Sequence, residues 1–329
     1  DRISGKLIWT HRLGFIPSAQ PYAIRNYVFV PGVDLARVWA LDVENRGSEK
    51  TFYKSEIFNR ENQILNRAIY SSPSVYFVCH DGKVYCYNVD TGNLNWTYQT
   101  ERAIKADPLI YVYRSEEEAP KAPAPGAAPP AGGAMPAPGA MAAPAMGAAP
   151  AMGAPAMGGP QAAKDGKKKV TPTLRFLFVG STDNAFYALD GDSGAIVWKY
   201  ECAAPIKSAA TAKDSTVYVR TEEGALHAFE VQPFHRDPKT NAVVGPKRNG
   251  NLRWKVPLAD RFLFKGKERV YIMAHDREIW AMNEMSGEIV GRYRTNLLQH
   301  IPSNAVDEYM YVANGAGYVF CLKESQVRY

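Results

Sequence analysis

The chain holds 329 residues at a net charge of +6, and 46% of them are hydrophobic. Length and apolar content allow one large domain or two ordinary ones with a sizeable core. No charge run is long enough for a dedicated nucleic-acid arm. No stretch qualifies as a membrane-spanning helix, because the longest uncharged run, residues 122–163, is broken throughout by proline and glycine. No secretory signal stands at Asp1. A chain that opens on Asp1 without methionine has been processed or trimmed, and a removed signal or lipid anchor, with membrane association through it, is one explanation.

The first element in chain order is SGKLIWTHRL, residues 4–13, a strand-like run in which Trp9 follows Gly5 by four positions. From residue 22 onward a longer phrase recurs. Each copy is anchored on a small residue: Ala40, Cys86, Ala188, Ala228, Ala281 and Cys321. Immediately before it stands a ring: Trp39, Tyr85, Tyr187, His227, Trp280 and Phe320. Ten residues before the anchor another aromatic returns in five copies, Tyr76, Phe178, Tyr218, Tyr271 and Tyr311. Between the two lie HDGK, STDN, TEEG, HDRE and NGAG, in which Gly, Asp and Asn supply the positive-φ positions of a tight hairpin. Flanking runs such as VYFVC and VYIMA are β-branched or aromatic and strand-like.

After the anchor comes a second turn and a fourth strand marked by tryptophan four residues beyond glycine, as in Gly92 to Trp96, Gly194 to Trp198 and Gly250 to Trp254. The fifth copy puts Gly291 at the tryptophan position, and the first copy is degenerate. A short run precedes each central hairpin, for example IKSAATA and IPSNAV. Four strands per unit, returning roughly every 40 residues, predict an all-β chain folded as a β-propeller. The units are 22–56, 69–101, 106–202, 205–259, 262–295 and 299–325. The last has no fourth strand, whereas residues 5–13 are a fourth strand without a unit. The expectation is a single propeller over 1–329, six-bladed, closed by the N-terminal strand completing the last blade, which would remove exposed edges.

Two insertions interrupt the pattern. Residues 115–173 open with three glutamates, close with Lys167, Lys168 and Lys169, and carry a Pro/Ala/Gly tract with Met135, Met141, Met146, Met152 and Met157. Such a tract cannot bury enough apolar surface to offset its ordering entropy, so disorder is expected. Thioethers can ligate Cu(I), but no His or Cys accompanies them, and a tether is the plainer reading. Residues 231–249 form a second insertion within unit four. Loops joining strands one to two and three to four leave a blade at the same end. Both insertions should therefore share a face, where Arg236, Lys239, Lys247, Arg248 and the Lys167–Lys169 run would offer a docking surface to an acidic protein or anionic polymer. Two solvated loops are the bland alternative.

The phrases FYALDGDSGAIVWKY and VYCYNVDTGNLNWTY, with the opening SGKLIWTH, resemble the pyrroloquinoline-quinone-like (PQQ-like) propeller repeat. The resemblance covers most of the chain outside the insertions. That repeat occurs in quinoprotein dehydrogenases and in non-enzymatic BamB-like outer-membrane assembly lipoproteins, both usually with more blades than six. It implies an extracytoplasmic, periplasmic or envelope location, with protein partners in a larger complex.

Chemistry is sparse. There is no adjacent cysteine pair of the quinoprotein kind, no P-loop, no dinucleotide fingerprint, no HExxH and no GxSxG. Cys86 and Cys321 fill the anchor slot, and Cys79 and Cys86 would be diagonal neighbours about 7–8 Å apart, beyond disulfide reach. His80 and His275 share a turn slot on opposite blades of a six-membered ring, too far apart to share one metal. Asp81, Asp183, Glu223 and Asp276 share another slot, away from the insertions. They read either as turn formers or as a polar, cation-attracting ring at the channel mouth. The sequence therefore points to a scaffold or docking module with no catalytic residue, cofactor, metal or nucleic acid of its own. The alternatives are a quinoprotein-type oxidoreductase and a ligand- or polymer-binding propeller.

Overall fold

Alternating apolar and polar residues, punctuated by Asx and glycine turns, fold here into short antiparallel strands. The computed structural model describes residues 3–32, 37–54, 64, 66–114, 173–231, 235–236, 243–244, 251–295 and 298–324. No helix occurs among them.

The first sheet is β1 (Tyr22–Ile24), β2 (Tyr27–Pro31), β3 (Arg37–Asp42) and β4 (Ser48–Lys54), in that spatial order. The second is β5 (Ile69–Ser71), β6 (Ser74–Val78), β7 (Lys83–Asn88) and β8 (Leu94–Gln99). The third is β9 (Leu109–Arg114), β10 (Thr173–Gly180), β11 (Ala185–Asp190) and β12 (Ile196–Glu201). The fourth is β13 (Thr211–Lys213), β14 (Thr216–Arg220), β15 (Ala225–Glu230) and β18 (Asn251–Pro257), with a separate hairpin of β16 (His235–Arg236) and β17 (Val243–Val244) between β15 and β18. The fifth is β19 (Ala259–Lys265), β20 (Arg269–Ala274), β21 (Glu278–Asn283) and β22 (Ile289–Arg294). The last has three strands, β23 (Leu298–His300), β24 (Tyr309–Asn314) and β25 (Val319–Lys323).

Two compact units emerge: Asp1–Tyr113 with Leu174–Tyr329, and Arg114–Thr173. The sheets belong to the first. Residues 115–172, where disorder was expected, lie outside the described residues.

The repeat has a direct meaning in the register. The anchor faces the upstream aromatic across each central hairpin: Phe29 with Ala40, Tyr76 with Cys86, Phe178 with Ala188, Tyr218 with Ala228, Tyr271 with Ala281 and Tyr311 with Cys321. On its other side it faces the fourth-strand tryptophan, Cys86 with Trp96, Ala188 with Trp198 and Ala228 with Trp254. A small side chain between two rings gives both room on one face of the sheet. In these three sheets and in the fifth, the register shifts just after the anchor.

Consecutive sheets pack face to face. Tyr76, Val78 and Cys86 of the second sheet meet Leu177, Val179 and Leu189 of the third in one buried cluster. Phe178, Ala188 and Trp198 meet Val217, Val219 and Phe229 of the fourth. Tyr218, Ala228 and Trp254 meet Phe262, Ile272 and Met282 of the fifth. Similar clusters join the first to the second sheet and the fifth to the last. The tryptophans lock these contacts. The Trp96 indole N–H donates to the Gly191 carbonyl at 3.1 Å, and a Cβ on Gly194 would lie 2.6 Å from the Trp96 ring. Trp254 donates to Glu284 O at 2.8 Å and covers Gly287 in the same way.

The ends of the chain break the pattern. Residues 5–13, expected as the fourth strand of the last sheet, carry no strand among the described residues. Trp9 nonetheless lies against Gly47 of the first sheet, the ring-over-glycine contact that Trp96 and Trp254 make. Phe15 stacks on Trp39 with centroids 3.7 Å apart. In β25 every residue is exposed, Val319 to 74%.

Candidate functional site

The turns between second and third strands are built on one left-handed residue each. Gly82, Asn184, Gly224 and Gly317 have φ of 84°, 66°, 79° and 85°. Glycine and asparagine reach this region at little cost. The fifth turn uses Arg277, at φ 57°. An arginine held where four sister turns use Gly or Asn is a local anomaly, and such anomalies concentrate at functional sites.

Arg277 lines a cleft of about 340 Å³ with Arg220, Asp260 and Arg261. Arg220 ends β14, Asp260 and Arg261 lie near the start of β19, and Leu298 and Gln299 lie on β23, so the fourth, fifth and last sheets build the site together. A second cavity of about 300 Å³ shares Arg220, Asp260 and Arg261. Asp260 Oδ2 accepts from Arg261 Nη1 at 2.6 Å, and its Oδ1 lies 3.3 Å from Arg220 Nε, an ion pair without a hydrogen bond. Arg261 Nη2 also donates to Ile301 O at 3.0 Å, and Arg277 Nη2 to Leu298 O at 3.4 Å. Two guanidinium groups thus share one carboxylate, Arg277 lines the same cleft without touching it, and the cleft keeps an excess of positive charge. Met273, Ala274, Leu298 and Ile301 supply an apolar wall.

The residues singled out from sequence are placed differently. Asp81 Oδ1 accepts from Lys83 N at 2.8 Å, and Asp183 accepts from Ala185 N at 3.0 Å and from the Tyr187 hydroxyl at 2.6 Å. Glu223 pairs with Lys255 at 2.6 Å, whose hydrogen bond holds the carboxyl below its ordinary range. Asp276 is exposed in the turn beside Arg277. Three of the four acidic side chains are therefore engaged locally. His275 packs on the neighbouring turn, where a Cβ on Gly224 would lie 2.7 Å from its Nε2. His80 is partly buried, and burial followed by Lys105 lowers its pKa.

Of the basic docking residues, Arg236 lies on β16, and Lys167, Lys168, Lys169, Lys239, Lys247 and Arg248 lie outside the described residues. Cys86, Cys202 and Cys321 are free. Burial pushes the thiols of Cys79 and Cys202 up to about 12. Among the described residues, no group of three or more His, Cys, Asp or Glu could hold a metal ion.

Sequence reading missed Arg220, Arg261 and Arg277. Only Arg277 left a signal, as the member of the HDGK, STDN, TEEG, HDRE and NGAG series lacking Gly or Asn at the left-handed position.

Repeating four-stranded antiparallel sheets, stacked through rings on glycines, define the class as an all-β fold of the propeller type. Residues 162–233 match the family model described as outer membrane protein assembly factor BamB. The crystal structure of BamB from Moraxella catarrhalis superposes with a TM-score of 0.56 at 15% identity, covering 97% of this chain and 77% of that one. The computationally designed Ika8 protein gives 0.48 at 12% identity, over 93% and 70%. No curated protein sequence matches the chain.

Proposed function

We propose that this propeller is a scaffold or docking module for protein–protein interaction, without catalysis of its own, in the cell envelope or a larger extracytoplasmic complex. The observation that carries this reading is the likeness to BamB over 97% of the chain, joined to a family model described as an outer membrane assembly factor. Rigid stacked sheets carrying two long insertions suit such a role, because binding surfaces are commonly loops on a stiff frame. The insertion of 115–173 would extend its reach, and Lys247 and Arg248 would contribute to an acidic partner's dock.

Mild affinity purification of the tagged full-length chain from its native cells, followed by mass spectrometry, tests it. Stoichiometric protein partners are expected. Deleting 116–170, or neutralising Lys247 and Arg248, should weaken the complex without lowering the melting temperature. A lone protein carrying quinone, metal or glycan would overturn the scaffold reading. The arginine cleft favours a second reading, a propeller that also binds a ligand.

A further inference from the structure

We infer that the cleft lined by the fourth, fifth and last sheets is a carboxylate-binding site, with Arg220, Arg261 and Arg277 as its cationic groups. This inference stands apart from the scaffold reading, since the cleft would bind a carboxylate whether or not the insertions dock a protein.

Three observations converge. The first is charge: three arginines and a single carboxylate, Asp260, line the cleft, and only Arg220 and Arg261 pair with that carboxylate. The second is donor supply. Arg261 Nη1 donates to Asp260 Oδ2 at 2.6 Å, whereas Arg220 Nε, 3.3 Å from Asp260 Oδ1, is buried without a hydrogen-bond partner and so keeps an unused donor. The third is backbone. Arg277 holds a left-handed conformation that Gly82, Asn184, Gly224 and Gly317 reach at lower cost, so glycine would serve the turn equally well. Arg25 and Arg46 hold the same conformation in other turns, but Arg277 alone of the three lines this cleft, where its Nη2 donates to Leu298 O at 3.4 Å.

The lining selects among anions. Arginine forks match planar carboxylates and tetrahedral phosphates alike. The excess of positive charge calls for an anion of either kind. The wall of Met273, Ala274, Leu298 and Ile301 suits a hydrocarbon stem, which inorganic phosphate lacks. A carboxylate on a short aliphatic chain meets both conditions. Its source is either an acidic side chain of a peptide or a free small dicarboxylate.

Titration calorimetry of the purified full chain decides this, with three probes: an end-capped Glu-Glu-Glu peptide, succinate and inorganic phosphate. Arg277→Gly is the informative variant, because glycine suits φ near 57° and the turn should stay formed. The expected result is saturable binding of a carboxylate probe that falls at least tenfold in Arg277→Gly, with an unchanged or higher melting temperature. Arg220→Gln should weaken binding too. Binding of the peptide but not succinate identifies a partner's acidic segment, and the reverse identifies a free metabolite-sized acid; each supports the site. Phosphate binding tighter than either carboxylate, no binding at all, or binding indifferent to Arg277→Gly would overturn the assignment.

Discussion

At the scale of single residues, tryptophan and glycine act as a pair. Gly287 has φ 71°, and a Cβ there would lie 2.5 Å from Trp254 Cγ. Gly287→Ala therefore meets both a backbone penalty and a clash, and should cost about 2 kcal/mol or more. Trp254→Ala should cost about 3–5 kcal/mol, and Trp254→Phe, which keeps a ring but loses the bond to Glu284 O, roughly 1–2 kcal/mol. Denaturant unfolding of the three variants checks this, and near-wild-type stability for Gly287→Ala would show that the contact does not lock the sheets. His227 offers a pH test. Burial, then the neighbouring Lys255, lowers its pKa to about 4. Between that value and about 6.5 the unfolded chain binds the proton and the native chain does not, so stability rises with pH across this window. Falling from pH 6.5 to 4 should remove about 3 kcal/mol. Tyr85 and Tyr187 fill the same slot elsewhere, so His227→Tyr should flatten that part of the stability–pH curve. An unchanged slope would assign it to other groups.

At the scale of elements, each sheet is held to the next by more than apolar area. Where β18 meets the fifth sheet, Arg253 pairs with Glu230 at 3.4 Å and Glu284 at 3.8 Å, and Lys265 bridges Asp214 and Glu284 at 2.7 Å each. Arg253 also donates to Thr216 Oγ1 at 2.6 Å. Its side chain is only 9% exposed, so stripping a partner leaves charge poorly solvated. Glu284→Gln should lower stability by about 1–3 kcal/mol, far more than loss of an exposed pair such as Lys207–Glu222. Equal effects for the two would argue that the network is ornamental. The turn before the fourth strand of the second, third and fifth sheets rests on one side chain. Asn88 Oδ1 accepts from Asp90 N and Thr91 N, Asp190 Oδ1 from Asp192 N and Ser193 N, and Asn283 Oδ1 from Met285 N and Ser286 N. The Asp190 and Asn283 turns place Gly194 and Gly287 beneath the neighbouring sheet's tryptophan.

At the scale of the whole molecule, stability should grade from sheet to sheet. The central strands β6, β11 and β14 are almost wholly buried, whereas β25 is exposed along its length. Hydrogen exchange should therefore be roughly 100-fold or more faster in β25 than in β11. Protection of β25 equal to that of β11 would mean that a fourth strand covers its edge in solution, as the sequence reading proposed for residues 5–13.

The repeat was legible in the sequence because it is written in residues whose chemistry has few uses. Small anchors between rings, Asx-Gly turns and Gly-to-Trp spacing left the all-β class and the four-stranded sheets readable from Ala188, Asp190, Gly194 and Trp198 alone. Period and turn chemistry are local, and local patterns survive in one dimension. The arginine cleft was not legible in that way. Arg220, Asp260 and Arg277 come from three different hairpins and connections, and nothing in their spacing marks them as neighbours. Only the stacking of the fourth sheet on the fifth, driven by Tyr218, Trp254 and Phe262, brings their charges together. The acidic residues Asp81, Asp183 and Glu223 show the converse: their shared slot was visible in sequence, but their partners were not, because hydrogen-bond partners are chosen by packing. Sequence alone determined the repeat and its turns, and tertiary structure decided which charges face one another, since electrostatics depends on distance in space rather than along the chain.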